Sequence, residues 1–303
     1  MPSASSLSLN NVAFLGQNRA SAPAFVWPLD ALIAQGALLR HASSVRRLLS
    51  SYTGPACRLT EAGFNSEADI PFLENGALNF QSINNLKYLA AGDDTPPEGF
   101  ELTWQTAYDQ SGLGRNATQV VTGSQPLFGT SVEAKGAMQG NGAAKSLDVD
   151  LSPSPIGGGF SRPFFVLAVV NTANLASTRT LLGTGFSSAL YLRYSTINIQ
   201  SAWGFTLSTA ATIGKHTVGT LVNTTDSNIY RNGALQVTGS TGSTSLDTAL
   251  PVMRIGRSTT TTTTWFNTAN NTISEFIVFD NDPTTFAGWP AFVAAQNAYF
   301  GIV

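Results

Sequence analysis

From Leu29 to about Ser50, the apolar residues Leu29, Leu32, Ile33, Ala37, Val45, Leu48 and Leu49 recur at helical spacing, with Gly36 as the weak point. This predicts a helix, preceded by a polar arm that ends in the apolar knot Phe25-Val26-Trp27 and Pro28. After Tyr52 the pattern becomes short apolar runs broken by Gly, Pro, Asn and Asp. PFFVLAVV (163–170) is continuously apolar after its proline, the mark of a strand covered on both faces. ALYLRY (189–194) and TVGTLV (217–222) are further strands. In NIYRNGALQV (228–237), Asn232-Gly233 between two β-prone arms predicts a hairpin, because a type I′ turn needs positive φ at both central residues. ISEFIVFD (273–280) alternates Ile273, Glu275, Ile277 and Phe279 against Ser274, Phe276, Val278 and Asp280. The tail FAGWPAFVAAQNAYFGIV carries a second, short helix. Strands at this spacing, with no helices between them, predict an all-β fold: an antiparallel β-sandwich or jelly roll with an N-terminal arm and helix. The chain divides into 1–50, arm and helix, a docking element or a cover for one end of the sandwich, and 51–303, the sandwich itself. The Thr259–Thr264 run suits a solvent-facing edge or a long loop.

Composition narrows the classes. Charged residues make up 11% of the 303, and 28 glycines with abundant Thr, Ser and Asn favour turns and strands over long helices. A net charge of −2 without a basic stripe gives nucleic acid nothing to bind. Arg40, Arg46 and Arg47 form one local basic group, expected on a solvated helix face. Cys57 is the sole cysteine, so no disulfide forms within the chain and no zinc knuckle is possible. MPSASSLSLNN has neither the basic nor the apolar region of a signal peptide, and no apolar run approaches a membrane span. The expectation is a soluble protein made in the cytoplasm and not exported by the general secretory route. Asn116, Asn223 and Asn270, which open N-x-T triplets, are then turn residues.

Few residues offer chemistry. GAMQGNGAAKS (136–146) has the look of a phosphate loop, but Ala144 stands where a glycine must precede the lysine, and LDVDLS after it is a strand. His41 and His216 are the only histidines, and neither has a carboxylate nearby in sequence. A Ser-His-Asp triad assembled in space stays open, although no G-x-S-x-G elbow occurs. No metal cluster is visible, and no cofactor is implied. Asp148 and Asp150 alternate with Leu147, Val149 and Leu151, so both carboxylates project from one strand face. That pattern marks either a solvated outer face or paired glycosidase acids. Glu275 is an acid on an apolar face, bonded to backbone in the simplest reading.

The segments SSYTGPACRLTE (50–61), DIPF (69–72) and YDQSGLGRNATQ (108–119) resemble the opening of the α-L-arabinofuranosidase B catalytic-domain family. IYRNGALQV and MRIGRS…NNTISEFIVFDN, with the terminal helix, resemble the concanavalin A-like lectin/glucanase fold, close to laminin-G modules. The resemblance implies a nucleophilic glutamate in GFSSALYLR (185–193), where Ser188 stands, and an acid/base aspartate after IGR, where Ser258 stands. Two hydroxyls cannot run a retaining mechanism, so it implies a sandwich without hydrolysis. The adjacent cysteines of the fungal enzymes are also missing. Tyr108 and Asp109 then belong to scaffold, with Asp109 capping a turn and Gly112 and Gly114 supplying positive φ. A sandwich without acids but with aromatics in polar segments suits sugar stacking, and Trp203, Trp265 and Tyr194 are the candidates. The whole is also similar to virion structural proteins of tailed bacteriophages: tail fibres, baseplate attachments and head decorations or spikes. This implies other virion proteins and a host-surface glycan as partners, a homo-oligomer with trimers common, and a place on the virion. The alternatives are an active glycoside hydrolase using Asp148, Asp150 and Glu275, or a structural decoration with no ligand.

Overall fold

The computed structural model describes residues 27–61, 66–91, 101–129, 135–140, 145–151, 162–175, 179–184, 190–194, 198–203, 206–241, 252–257 and 271–303. In chain order the first elements are α1 (Asp30–Ala34), β1 (Leu39–Ser44), β2 (Cys57–Glu61), β3 (Ser66–Ile70), α2 (Phe80–Ala91) and β4 (Leu102–Ala107). Then come β5 (Ala117–Thr118), β6 (Leu127–Gly129), β7 (Ala137–Gln139), β8 (Leu147–Asp150), β9 (Phe164–Thr172) and β10 (Arg179–Thr184). β11 (Leu190–Tyr194), β12 (Asn198–Trp203), β13 (Thr206–Ala210), β14 (Gly214–Val222), β15 (Ser227–Arg231) and β16 (Ala234–Gly239) follow. β17 (Val252–Ile255), β18 (Thr272–Phe279) and α3 (Trp289–Phe300) complete the chain.

Every strand pairing is antiparallel. One layer runs β1-β18-β9-β14-β15-β16. The other runs β3-β2-β4-β5-β8-β17-β10-β11-β12-β13. β6 and β7 bridge the layers, from β4 to the start of β18. The result is an all-β sandwich with a few helices on its surface.

β9 shows why the layers sit as they do. Its side chains alternate between faces. Phe164, Val166, Ala168 and Val170 enter the core between the layers, with Leu59, Trp104, Val149, Leu182 and Ile255 from the opposite sheet. Phe165 and Leu167 point the other way, into a second core roofed by Leu29 and Leu32 beside and in α1 and by Trp289, Phe292 and Val293 of α3. The Phe165 ring meets those of Trp289 (5.3 Å between centroids), Tyr230 (5.7 Å) and Phe279 (6.4 Å). Such aromatic pairs add about 0.5–1.5 kcal/mol each beyond area burial. The unbroken apolar run of β9 is thus a strand with sheet on one side and helices on the other.

Three features depart from the pattern reading. The helix predicted over 29–50 is confined to Asp30–Ala34, and the chain then enters the sheet as β1, paired with β18. Residues 39–44 of the expected N-terminal segment thus belong to a hydrogen-bonded layer, and residues 1–26 lie outside the described residues. Second, α2 carries only a sparse apolar stripe, with Ile83 and Leu86 as its buried residues among those described, and the Asn79 side chain caps it through the Ser82 N–H at 3.2 Å. The paired Asn84-Asn85 obscures its period. Third, β18 does not alternate strictly, because its register against β9 shifts between Ile273 and Glu275. Ile273 consequently joins Phe276 and Val278 in the core between the layers, while Ile277 and Phe279 lie under the helices.

The Asn232-Gly233 hairpin joins β15 to β16 with φ of +52° and +84°, the positive pair its turn requires. The Thr259–Thr264 run lies outside the described residues.

Candidate functional site

The Y-D-Q-S-G stretch is a fastening device. Asp109 is buried, and its Oδ1 accepts from the backbone N–H groups of Ala42 (3.0 Å) and Ser111 (2.9 Å). Oδ2 accepts from Ser111 Oγ (2.6 Å) and the Arg115 N–H (3.0 Å). Gly112 and Gly114 take φ of +83° and +71° to close this loop around the carboxylate. Gln110 continues the seam: its Oε1 accepts from the Leu48 N–H (2.7 Å) and its Nε2 donates to the Arg46 carbonyl (3.0 Å). Burial pushes the Asp109 pKa up, but His41 and these donors outweigh it and hold the carboxyl below its ordinary range. The motif binds the end of β4 to β1 and the segment after it.

The same turn brings together a serine, a histidine and an aspartate in triad order. His41 Nε2 lies 3.1 Å from Ser43 Oγ, and Nδ1 lies 2.8 Å from the Arg115 carbonyl and 3.6 Å from Asp109 Oδ1. His41 is 0% exposed, Ser43 2% and Asp109 4%. A nucleophile must reach its substrate, and Ser43 is buried. Burial lowers the His41 pKa against the pull of Asp109 and the Arg115 carbonyl, and both ring nitrogens are occupied, Nδ1 by the Arg115 carbonyl and Nε2 by Ser43 Oγ. This is a packed polar knot. His216 is bonded instead to Thr212, through its carbonyl (2.9 Å) and hydroxyl (3.1 Å).

Two of the three arginines expected on a solvated face are buried. Arg40 Nε contacts Asp280 at 2.5 Å, and Arg46 Nε contacts Glu275 at 3.3 Å. Glu275, a candidate acid in the hydrolase alternative, is 0% exposed. It accepts from Ser44 Oγ (2.7 Å), Arg46 and Gln296, and Gln296 also accepts from Arg46. Its partners are side chains of β1, α3 and the residue after β1's neighbour, where backbone was the simplest expectation. Burial raises the Glu275 pKa against the pull of Arg46, Ser44 and Gln296. Buried and bonded to Ser44, Arg46 and Gln296, it ties β1, β18 and α3 together. Asp148 pairs with Arg254 across β8–β17 at 3.1 Å, each about a third exposed, and Asp150 is exposed on the same face. Leu147 and Val149 between them are fully buried.

The aromatic candidates separate. Tyr194 is 1% exposed inside the core, so it is no platform for a sugar. Strand alternation puts it there, beside Leu192 and Ile199. Trp203 ends β12 opposite Leu190, and its side chain, with Trp265, Ser188 and Ser258, lies outside the described residues. Among the described residues, no three His, Cys, Asp or Glu side chains converge as a metal site.

An open cleft of about 330 Å³ is built from the other two recognised segments. Tyr52, Thr53, Gly54 and Pro55 line it from the Y-x-G-P stretch, Asp69, Pro71 and Phe72 from DIPF, and Arg47 from beside β1. Tyr52 donates its hydroxyl to the Pro55 carbonyl (2.7 Å) and meets Phe72 edge to face at 6.2 Å. A side chain on Gly54 would sit 2.6 Å from the Tyr52 hydroxyl, which is why this turn carries a glycine. Asp69 is held by Arg58 through Nε (2.7 Å) and Nη2 (3.0 Å), and by the Tyr108 hydroxyl (2.6 Å). The Arg58 fork and the Tyr108 hydroxyl lower the Asp69 pKa, and the Tyr108 hydroxyl, desolvated and bonded to that anion, is pushed up to about 12. Sequence reasoning recognised these segments as motifs and overlooked the cleft they form, because its walls meet through tertiary contacts: β2–β3 pairing, the Tyr52–Phe72 ring contact and the Ala56 N–H to Ile70 carbonyl bond.

No family model matches the sequence, and no curated protein matches it. Solved structures do match the fold. A GH54 α-L-arabinofuranosidase soaked with a cyclic sulfate inhibitor superposes with a TM-score of 0.63 at 15% identity, covering 89% of this chain and 66% of that one. An arabinofuranosidase complexed with arabinofuranosyl-α-1,2-xylobiose gives 0.62 at 16% identity, covering 89% and 65%. This chain therefore spans just under two thirds of each enzyme's length. At such identity the likeness establishes a shared β-sandwich fold.

Proposed function

We propose that this protein is a carbohydrate-binding β-sandwich on an arabinofuranosidase-type scaffold, which holds sugar without hydrolysing it. The observation that carries this reading is the fold likeness to arabinofuranosidases over 89% of the chain. It is supported by Ser188 and Ser258 at the positions the sequence resemblance gives to the acids, and by the sealing of Glu275 away from solvent. The finer part of the proposal is a place on the surface of a bacteriophage particle, gripping host glycan, with the N-terminal segment, roughly 1–50, as the docking element. That part rests on the similarity to virion proteins described above.

The test is a glycan array that includes bacterial surface polysaccharides, run beside turnover of an aryl arabinofuranoside. A specific array hit without turnover supports the proposal. Turnover abolished by Asp148→Asn or Asp150→Asn would replace it with a hydrolase, and a blank array from folded protein would leave a structural decoration.

A further inference from the structure

The cleft described above is lined in part by Arg47, a cation that meets no carboxylate among the described residues. The Arg47 guanidinium lies over the Trp27 ring, 3.7 Å from its centroid, and its Nε has no hydrogen-bond acceptor among the described residues. Arg40 and Arg46 both meet a buried carboxylate, whereas Arg47 meets none there. Stacking on an indole orients the planar fork at little entropic cost, and because Nε is buried, a ligand would be met by the terminal Nη groups. Asp69, also in the lining, is paired with Arg58, a cation it shares with Glu67, so it repels an anion less than a bare carboxylate would. Tyr52 and Phe72 supply aromatic lining, set edge to face, with the Tyr52 ring locked by its hydroxyl. A volume of about 330 Å³ falls at the small end of the roughly 300–1,000 Å³ range of ligand pockets.

We propose that this cleft binds an acidic saccharide, a uronate or other carboxylate-bearing sugar, with its carboxylate on Arg47, a ring face against Tyr52 and Phe72, and a hydroxyl donating to Asp69. The inference rests on the reading of the protein as a glycan binder and names the class of sugar. Arg supplies a fork that matches a carboxylate. Arg58 and the Tyr108 hydroxyl already give Asp69 three donors, and its remaining lone pair accepts from a hydroxyl, which a sugar supplies beside its carboxylate.

The experiment is calorimetric titration of the full chain with trigalacturonate, its carboxyl-reduced neutral counterpart, and inorganic phosphate. Trigalacturonate is expected to bind at least about tenfold more tightly than the reduced trisaccharide, since one charge-assisted contact contributes roughly that factor. Its affinity should fall with added salt. Arg47→Met should remove the preference while leaving the weak binding of the neutral sugar within about twofold, and Arg47→Lys should retain part of it. Equal affinity for acidic and neutral sugars, or a preference unchanged in Arg47→Met, overturns the proposal. So does tighter binding of phosphate than of the uronate. Array hits that are indifferent to Arg47 would overturn this inference and leave the glycan-binding reading intact, whereas a blank array and no titration heat would overturn both.

Discussion

Removing the guanidinium from the Arg46–Glu275 pair tests the account of the buried charges directly. Glu275 has no access to water, and its oxygens are met by Ser44, Arg46 and Gln296. Arg46→Met preserves much of the volume but leaves an uncompensated buried carboxylate. It also withdraws the cation from the rings of Tyr299 (4.7 Å) and Phe300 (5.4 Å). Breaking a buried pair by deleting one partner costs about 3–5 kcal/mol, a large part of a stability of roughly 5–15 kcal/mol. The double variant Arg46→Met/Glu275→Gln removes the stranded charge and keeps an amide for Ser44 and Gln296, so it should recover more than half of the loss.

The pH dependence gives a second reading of the same variant. The Glu275 pKa is raised by burial and held down in part by Arg46. Without Arg46 it rises further. A carboxyl whose folded pKa exceeds its unfolded value binds more protons when folded. Its effect on stability is therefore most favourable below the unfolded pKa and deteriorates as pH climbs through the folded pKa. The penalty of Arg46→Met should accordingly shrink on acidification from neutral pH toward the carboxylate range, and the double variant should lack this slope. Urea unfolding at a series of pH values, with unchanged m, measures both effects. A penalty under about 1 kcal/mol, or one that does not vary with pH, would refute the assignment of an ionised buried pair.

Other consequences are simpler. Gly112→Ala should cost about 1–2 kcal/mol from positive φ alone, since open space surrounds its Cβ position. Gly233→Ala should cost more in the same urea assay, because its Cβ would also fall 2.5 Å from Val293 Cγ1 under α3. Phe165→Ala should destabilise by about 3–5 kcal/mol through the second core. Asp148→Asn should cost under about 1 kcal/mol, because its pair with Arg254 is partly solvated. A serine-directed fluorophosphonate should leave the folded protein unlabelled at Ser43 by mass spectrometry; labelling at that residue would mean that the knot opens to solvent.

The sequence alone determined much of this protein. Continuous apolarity in β9, the Asn-Gly turn, the strand at Leu147–Asp150 and the terminal helix were all legible, because each is a local pattern with local causes: pleat, turn φ and helical period. β1 was not legible. Its sequence LRHASS places Arg40 and His41 in a strand and is followed by Arg46, and short-range spacing fits a helix with a charged face at least as well. Tertiary structure reversed that preference by supplying Asp280 for Arg40, Asp109 for His41 and Glu275 for Arg46. The Arg46–Glu275 pair is 229 positions apart. Burying a charge is favourable only when its partner is in place, and no periodicity near residue 46 contains the position of residue 275. The cleft follows the same rule: Tyr52, Asp69 and Arg47 are ordinary surface residues in sequence, and tertiary structure makes them lining of one cleft, with Arg47 stacked on Trp27.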